Sequence, residues 1–253
     1  MTIDLTGRIV LVTGASRGIG RALAQHLAQA GATVAVHGHR SMASATALAR
    51  DLGRDARAFQ ADLADAQAVD GLFEAVLAAY GRLDVLVNNA GVAHEMPLAA
   101  STADWQANWD HTLAVNLRAP ELLSRRLVQH LRVRGGAARA IHIASRAAFR
   151  GDTPDYMAYA ASKAGLVALS RSLARGCGKD GLTSFVVAPG FVRTDMAQVF
   201  FDTYGLDYAM QGVALDRLTE PDDLGPVVVL LASGLADHAT GTSIDVNAAS
   251  YVR

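Results

Sequence analysis

Cysteine is nearly absent from the 253 residues. Cys177 stands alone, which rules out a disulfide framework and a cysteine-based metal centre. A single thiol of this kind is expected as a small, partly buried apolar residue. Charge of one sign is missing too: 23 Lys and Arg against 24 Asp and Glu leave a formal net charge of −1. That argues against a nucleic-acid binder. No apolar run approaches the roughly 20 residues a bilayer span requires. The opening MTIDLTGRIV lacks a basic stretch leading into an apolar one, so no secretory leader is expected. Repeats, low-complexity tracts and linkers are also missing. The expectation is one soluble, cytoplasmic domain over residues 1–253.

Apolar residues make up 51% of the chain, and mean hydropathy is +0.20, so most segments should be packed. Short apolar runs alternate with longer amphipathic ones. RIVLV (8–12), TVAV (33–36), ARAF (56–59), LDVLV (83–87), AIHIA (140–144), TSFVVA (183–188) and SIDV (243–246) read as strands. Helical patterns lie near 18–30, 42–52, 65–80, 102–132, 156–175 and 221–232. Strand–helix alternation with continuously apolar strands predicts an α/β fold: a doubly wound, seven-stranded parallel sheet with helices on both faces. Residues 191–216 (FVRTDMAQVFFDTYGLDYAMQGVALD) fit no clean strand.

VLVTGASRGIG (10–20) places Gly14, Gly18 and Gly20 between the first strand and the first helix. Glycine allows a sharp turn and close approach of a ligand, and amides at the helix start suit a phosphate. At the first strand–helix junction of such a sheet this is a dinucleotide site of Rossmann type, though the spacing is T-G-x-x-x-G-x-G.

Tyr159 and Lys163 are four residues apart in a predicted helix and so share a face. A neighbouring ammonium favours phenolate and lowers a tyrosine's pKa from about 10. Tyr159 can then exchange a proton with a carbonyl oxygen as hydride reaches or leaves the carbon. Ser145 follows the strand AIHIA at a carboxyl end of the sheet, where ligands of such sheets bind. It is placed to donate to the same oxygen. His142 should point to the opposite face and be structural. Asn116 sits within a long helical stretch although asparagine is a poor interior helix residue.

These motifs, in this order, resemble the short-chain dehydrogenase/reductase family nearly end to end: TGASRGIG (13–20), DL (62–63), NNAG (88–91), VNL (115–117), Ser145, YAASK (159–163) and PGFVRT (189–194). The 3-oxoacyl-[acyl-carrier-protein] reductases among its members look similar in overall pattern. The resemblance implies a single-domain Rossmann fold with Asn116, Ser145, Tyr159 and Lys163 as the catalytic set. Asn116 would distort its helix and hold a water relaying protons toward Lys163. It also implies coenzyme contacts from Gly14, Ser16, Arg17, Gly18, Ile19, Gly20, Tyr159, Lys163, Pro189 and Gly190. Asp62 and Leu63 would lie at the adenine, Asn89, Ala90 and Gly91 at the adenosine ribose, and Val192 and Thr194 at the nicotinamide carboxamide.

The second strand runs into His37-Gly38-His39-Arg40-Ser41 with no acidic residue where NAD-binding folds place one for the ribose hydroxyls. A basic cluster there, joined by Arg17, suits the 2′-phosphate of NADP(H). Ser41 would add a hydroxyl or a helix N-terminus. HGHRS also looks like the matching stretch of NADPH-dependent pteridine reductases, relatives within the family.

The expected activity is therefore an NADP(H)-dependent interconversion of a small-molecule carbonyl and a secondary alcohol. The alternatives are a catalytically silent NADP(H) sensor and, more narrowly, a 3-oxoacyl thioester reductase. Residues 191–216, with Met196, Phe200, Phe201, Tyr204, Tyr208 and Met210, would form a substrate lid, and His94, Glu95, Arg146 and Tyr156 would border the pocket. Arg132, Arg134 and Lys179 are candidates for docking an acyl carrier, although a scattered, solvated set is the favoured reading. Ala248 and Ala249 replace the glycines common in the family, so the C-terminal turn is expected to differ. No metal, membrane or nucleic-acid partner is expected. Assembly into a homotetramer or homodimer through the helices near 102–132 and 156–175 is.

Overall fold

A computed structural model of the chain describes residues 2–252, without the side chains of Met196, Val199, Thr203, Tyr204 and Tyr208. In chain order its elements are β1 (Ile9–Val12), α1 (Gly18–Gln29), β2 (Thr33–Gly38), α2 (Met42–Leu52), β3 (Arg57–Gln60), α3 (Ala66–Tyr80), β4 (Val85–Asn88), α4 (Thr102–Leu113), α5 (Ala119–Arg134), β5 (Ala138–Ile143), α6 (Ala147–Arg150), α7 (Met157–Cys177), β6 (Leu182–Pro189), α8 (Asp195–Tyr204), α9 (Leu206–Met210), α10 (Pro221–Ser233) and β7 (Ser243–Val246). All seven expected strands form. They pair in parallel in the order β3-β2-β1-β4-β5-β6-β7, so the chain reverses direction across the sheet between β1 and β4. Ligands of open α/β sheets bind beside that switch, outside the strand carboxyl ends.

Successive residues of a strand face opposite sides, and here both sides are apolar. Val10 and Val12, Val34 and Val36, Val85 and Val87, and Ile141 and Ile143 pack in one cluster with Leu23 and Leu27 of α1 and Leu224 and Val228 of α10. The residues between them (Leu11, Ala35, Leu86, Ala140) pack against Phe73 of α3 and Leu123, Leu127 and Leu131 of α5. At the amino ends of the strands, Asp84 is fully buried. It accepts from the Ile9 amide, Arg82 and Arg134, which together hold its carboxyl below the usual range against the effect of burial. Arg134 thus belongs to the fold interior, and Arg132 pairs with Asp180 at 2.8 Å, so neither stands as a free docking cation.

The long helical pattern 102–132 divides. Between α4 and α5 the chain makes a wide π turn, Ala114–Arg118, centred on Asn116. Such turns insert a residue into a helix and often mark functional sites.

Candidate active site

The β1–α1 turn is fixed from both sides by buried polar groups. On the β4 side, Thr13 Oγ1 accepts from the amides of Asn89 and Ala90, both at 3.0 Å, and donates to the Val87 carbonyl. Asn89 Nδ2 donates to the carbonyls of Thr13 (2.8 Å) and Gly14 (3.3 Å). Gly14 takes φ +64°, and a Cβ there would come within 2.9 Å of the Ala90 backbone. A Cβ at Gly20 would overlap the Asn89 amide and the Gly14 carbonyl. Beyond the turn, α1 starts with no side-chain cap and no acidic residue in its first turn. Its first amides have no partner within the helix. A close-packed glycine cradle opening onto uncapped amides fits a dinucleotide's phosphates.

The end of β2 corrects one expectation. His37 does not belong to an exposed basic cluster: it is 2% exposed, and burial lowers its pKa to about 4. It took that place in the sequence because the apolar run stops at Val36, whereas β2 continues through Gly38. The exposed basic residues are His39 and Arg40. His39 Nε2 lies 3.8 Å from Asp62 Oδ2, while the other oxygen of Asp62 accepts from the Ala64 amide at 2.9 Å. Leu63 is buried beside it. Ser41 begins α2 without a side-chain capping bond. Arg17 points elsewhere, with Nη1 3.3 Å from Asp195 Oδ2 at the start of α8.

The four candidate catalytic residues come together beyond β4 and β5. The Ser145 hydroxyl lies beside the Tyr159 phenol, and its Oγ accepts from the Ala147 amide at 3.1 Å. Lys163, 4% exposed, donates from Nζ to the Ile143 carbonyl at 2.8 Å and sits 5.8 Å from the centre of the Tyr159 ring. Burial lowers its pKa to about 8. The Tyr159 phenol departs from expectation. Burial raises it above its ordinary range, the Ser145 hydroxyl pulls it partly back, and the Asp152 carboxylate adds to the rise. The depression expected from Lys163 is not found; desolvation dominates. Asn116 Oδ1 accepts from the Val92 amide at 2.8 Å, and its Nδ2 donates to the Val92 carbonyl (2.8 Å) and Ser162 Oγ (3.0 Å). This holds Gly91 against Lys163, where a Cβ would lie 3.2 Å from Nζ. His142 is fully buried, bonds Asn88 at 3.2 Å and is pushed down to about 3 by burial and the Lys163 charge.

On the far side, β6 ends at Pro189, and Gly190 packs on Asn247 and Ser250. Val192 is buried; Thr194 caps α8, accepting from the Ala197 amide, and its methyl would meet a Cβ at Gly18 at 3.5 Å. Phe191 stacks on Phe200 (4.6 Å) and Phe201 (6.0 Å), and the Arg146 guanidinium lies 4.5 Å over its ring. Phe201, Ala209 and Leu218 form a small cluster that Met210 joins; Met196, Tyr204 and Tyr208, expected alongside, have side chains outside the described residues. His94 and Glu95 are exposed, with His94 5.7 Å from His111, and Tyr156 is half-buried at the start of α7. Ala248 and Ala249 adopt φ +49° and +55°, the left-handed conformation that glycine takes freely, so both residues are strained.

Sequence reasoning missed the positioning parts of Thr13 and His37, and missed Ser162 and the Ile143 carbonyl altogether. Thr13 opens the glycine motif; the others carry no local signature.

The glycine cradle, the tyrosine–lysine helix and the serine at the strand end define a dinucleotide-linked oxidoreductase site. The chain belongs to the short-chain dehydrogenase/reductase family. A family model described as enoyl-(acyl carrier protein) reductase matches residues 14–248. A curated relative, the 3-oxoacyl-[acyl-carrier-protein] reductase FabG of Staphylococcus aureus, is 37% identical over 246 residues, covering 96% of this chain and 97% of the relative. A short-chain dehydrogenase from Burkholderia cenocepacia, solved with NADP, superimposes with a TM-score of 0.89 at 36% identity, covering 98% of this chain and 99% of that one. A 3-ketoacyl-(acyl-carrier-protein) reductase from Brucella melitensis, solved with NADH, gives 0.88 at 29% identity over 98% of this chain and 100% of that one.

Proposed function

We propose that this chain is an NADP(H)-dependent oxidoreductase that interconverts a carbonyl and a secondary alcohol. The carrying observation is Tyr159, beside the Ser145 hydroxyl and one helical turn from Lys163, whose Nζ is anchored on the Ile143 carbonyl at the sheet's carboxyl edge. Bound nicotinamide supplies or takes the hydride. Tyr159 gives its proton to the substrate oxygen, Ser145 donates a second hydrogen bond to that oxygen, and Lys163 supplies positive charge beneath the phenol. At a pKa of about 8 that ammonium is mostly charged at pH 7. Asn116 positions the loop carrying Gly91; its part in a proton relay is carried by the wide turn around it. His39, Arg40 and Ser41 would hold the 2′-phosphate, with Arg17 joining once it leaves Asp195.

Residues 191–216 act as a cover over the substrate, within one domain spanning the chain. The aromatic stack Phe191–Phe200–Phe201 supports that part. For assembly, α4, α5 and α7 leave a groove of about 810 Å³ lined by Leu113, Leu117 and Leu169 with Asp110, Arg118 and Glu121. Apolar residues beside charges of both signs suit a second copy, in a homodimer or homotetramer. No helix among the described residues is long and apolar enough to cross a membrane. A cytoplasmic setting completes the reading, and a lone thiol is at ease there. The relatives' names favour a 3-oxoacyl thioester as substrate.

The test is loss of NADPH absorbance against an acetoacetyl thioester, a diketone, a quinone, a ketose and a steroid ketone. Turnover of at least one, lost in Tyr159→Phe, is expected. Tight NADPH binding with no turnover of any would favour a sensor instead.

A further inference from the structure

Two consecutive amides of the glycine turn end on one residue. Ala15 N–H donates to the His37 carbonyl at 2.9 Å, and Gly14 N–H donates to His37 Nδ1 at 3.0 Å. An amide can only donate, so Nδ1 carries its lone pair and the ring proton sits on Nε2. That nitrogen donates to the Ala61 carbonyl at 3.2 Å. Ala61 directly precedes Asp62 and Leu63 at the end of β3. The imidazole is therefore a strut between the glycine turn and the wall expected to hold the adenine. Both its nitrogens are spent, and it is 2% exposed. Burial and the nearby His39 keep it neutral, against the pull of the Ala61 bond.

We propose that His37 is a positioning residue for coenzyme binding: its neutral imidazole fixes the glycine turn and its distance from the end of β3 before the dinucleotide arrives. The proposal rests on the reading that this turn holds the coenzyme. Gly14 has no side chain to define its conformation, so the hold must come from outside. A turn set in advance spares the dinucleotide the entropy of ordering it. Without the Nδ1 acceptor, Gly14 N–H loses its partner and the turn can relax. The ring bonds only the turn and β3, so its removal should fall on coenzyme affinity more than on turnover.

The experiment compares His37→Leu, which removes both bonds at similar bulk, with His37→Asn, whose side-chain oxygen can take the place of Nδ1. Coenzyme Kd is read by NADPH fluorescence, with KM and kcat alongside. His37→Leu should raise Kd and KM for NADPH about tenfold or more, with a much smaller change in kcat. His37→Asn should recover most of that affinity. A Kd within twofold of wild type for His37→Leu, or no recovery in His37→Asn, overturns the proposal. Arg40→Ala and Gly20→Val in parallel separate the two levels: if neither weakens NADPH, the site reading itself fails and the strut with it. Should His37→Leu not fold, nitrogen NMR of the wild-type protein decides. The Nε2–H tautomer at pH 7 is expected, and an Nδ1–H or charged ring overturns the proposal.

Discussion

The glycine turn and the segment 191–216 meet at Gly18 and Thr194, yet they are held by opposite means. The turn is fastened by hydrogen bonds through Thr13, Asn89 and His37 at the carboxyl ends of β1, β4 and β2. Among the described residues, the segment rests on an aromatic cluster, two exposed ion pairs (Arg17–Asp195 and Arg193–Glu220) and a C-terminal turn strained at Ala248 and Ala249. Buried hydrogen bonds are costly to leave unmade, which gives the turn a single shape. Exposed ion pairs contribute about 0.2–1 kcal/mol, so the segment can move at small expense. A dinucleotide of constant shape suits the first arrangement, and a substrate that enters and leaves suits the second.

The largest effect that would sharpen this contrast is chemical. Tyr159→Phe should lower kcat by about 10²- to 10⁴-fold while NADPH Kd changes far less; comparable losses in both would show that the site is not divided this way. Acid should act on the sheet side. His37 and His142 are buried neutral with pKa values of about 4 and 3, so the unfolded chain binds more protons as pH falls below 6.5. Stability should be intact above that pH and be lost on the way down, roughly 3 kcal/mol from His37 alone by pH 4. Urea unfolding from pH 7 to 4 measures it, and a flat profile would contradict the assignment of neutral rings. Next come the fasteners themselves. Asn89→Ala should cost about 2 kcal/mol by stranding the Thr13 and Gly14 carbonyls, whereas Asp195→Asn should cost under about 0.5 kcal/mol. Equal losses would erase the comparison. Of opposite sign, Ala248→Gly should stabilise by up to about 1 kcal/mol, because glycine accepts φ +49° without strain.

The same division governs what the sequence makes legible. Strands buried on both sides announce themselves as apolar runs, and all seven could be placed. Asn116, out of character in a helix, marked the π turn. Tyr159 and Lys163 declared a shared helical face by spacing alone. His37 was misplaced because its role depends on Gly14 and Ala61, 23 and 24 residues away. Arg17 and Arg134 looked like available cations, but Asp195 and Asp84, distant in the chain, take them. The rise of the Tyr159 phenol reflects burial by the whole fold, against which a pairwise argument from Lys163 was too local.

The most direct test of the account is kcat/KM for NADPH and for NADH with one ketone substrate, in wild type and in Arg40→Ala. A preference for NADPH of about tenfold or more that shrinks toward unity in Arg40→Ala is the predicted result, since a charge-assisted phosphate contact contributes about 1.5–3 kcal/mol. A wild type that prefers NADH, or a preference untouched by Arg40→Ala, would contradict the claim that the end of β2 reads a 2′-phosphate.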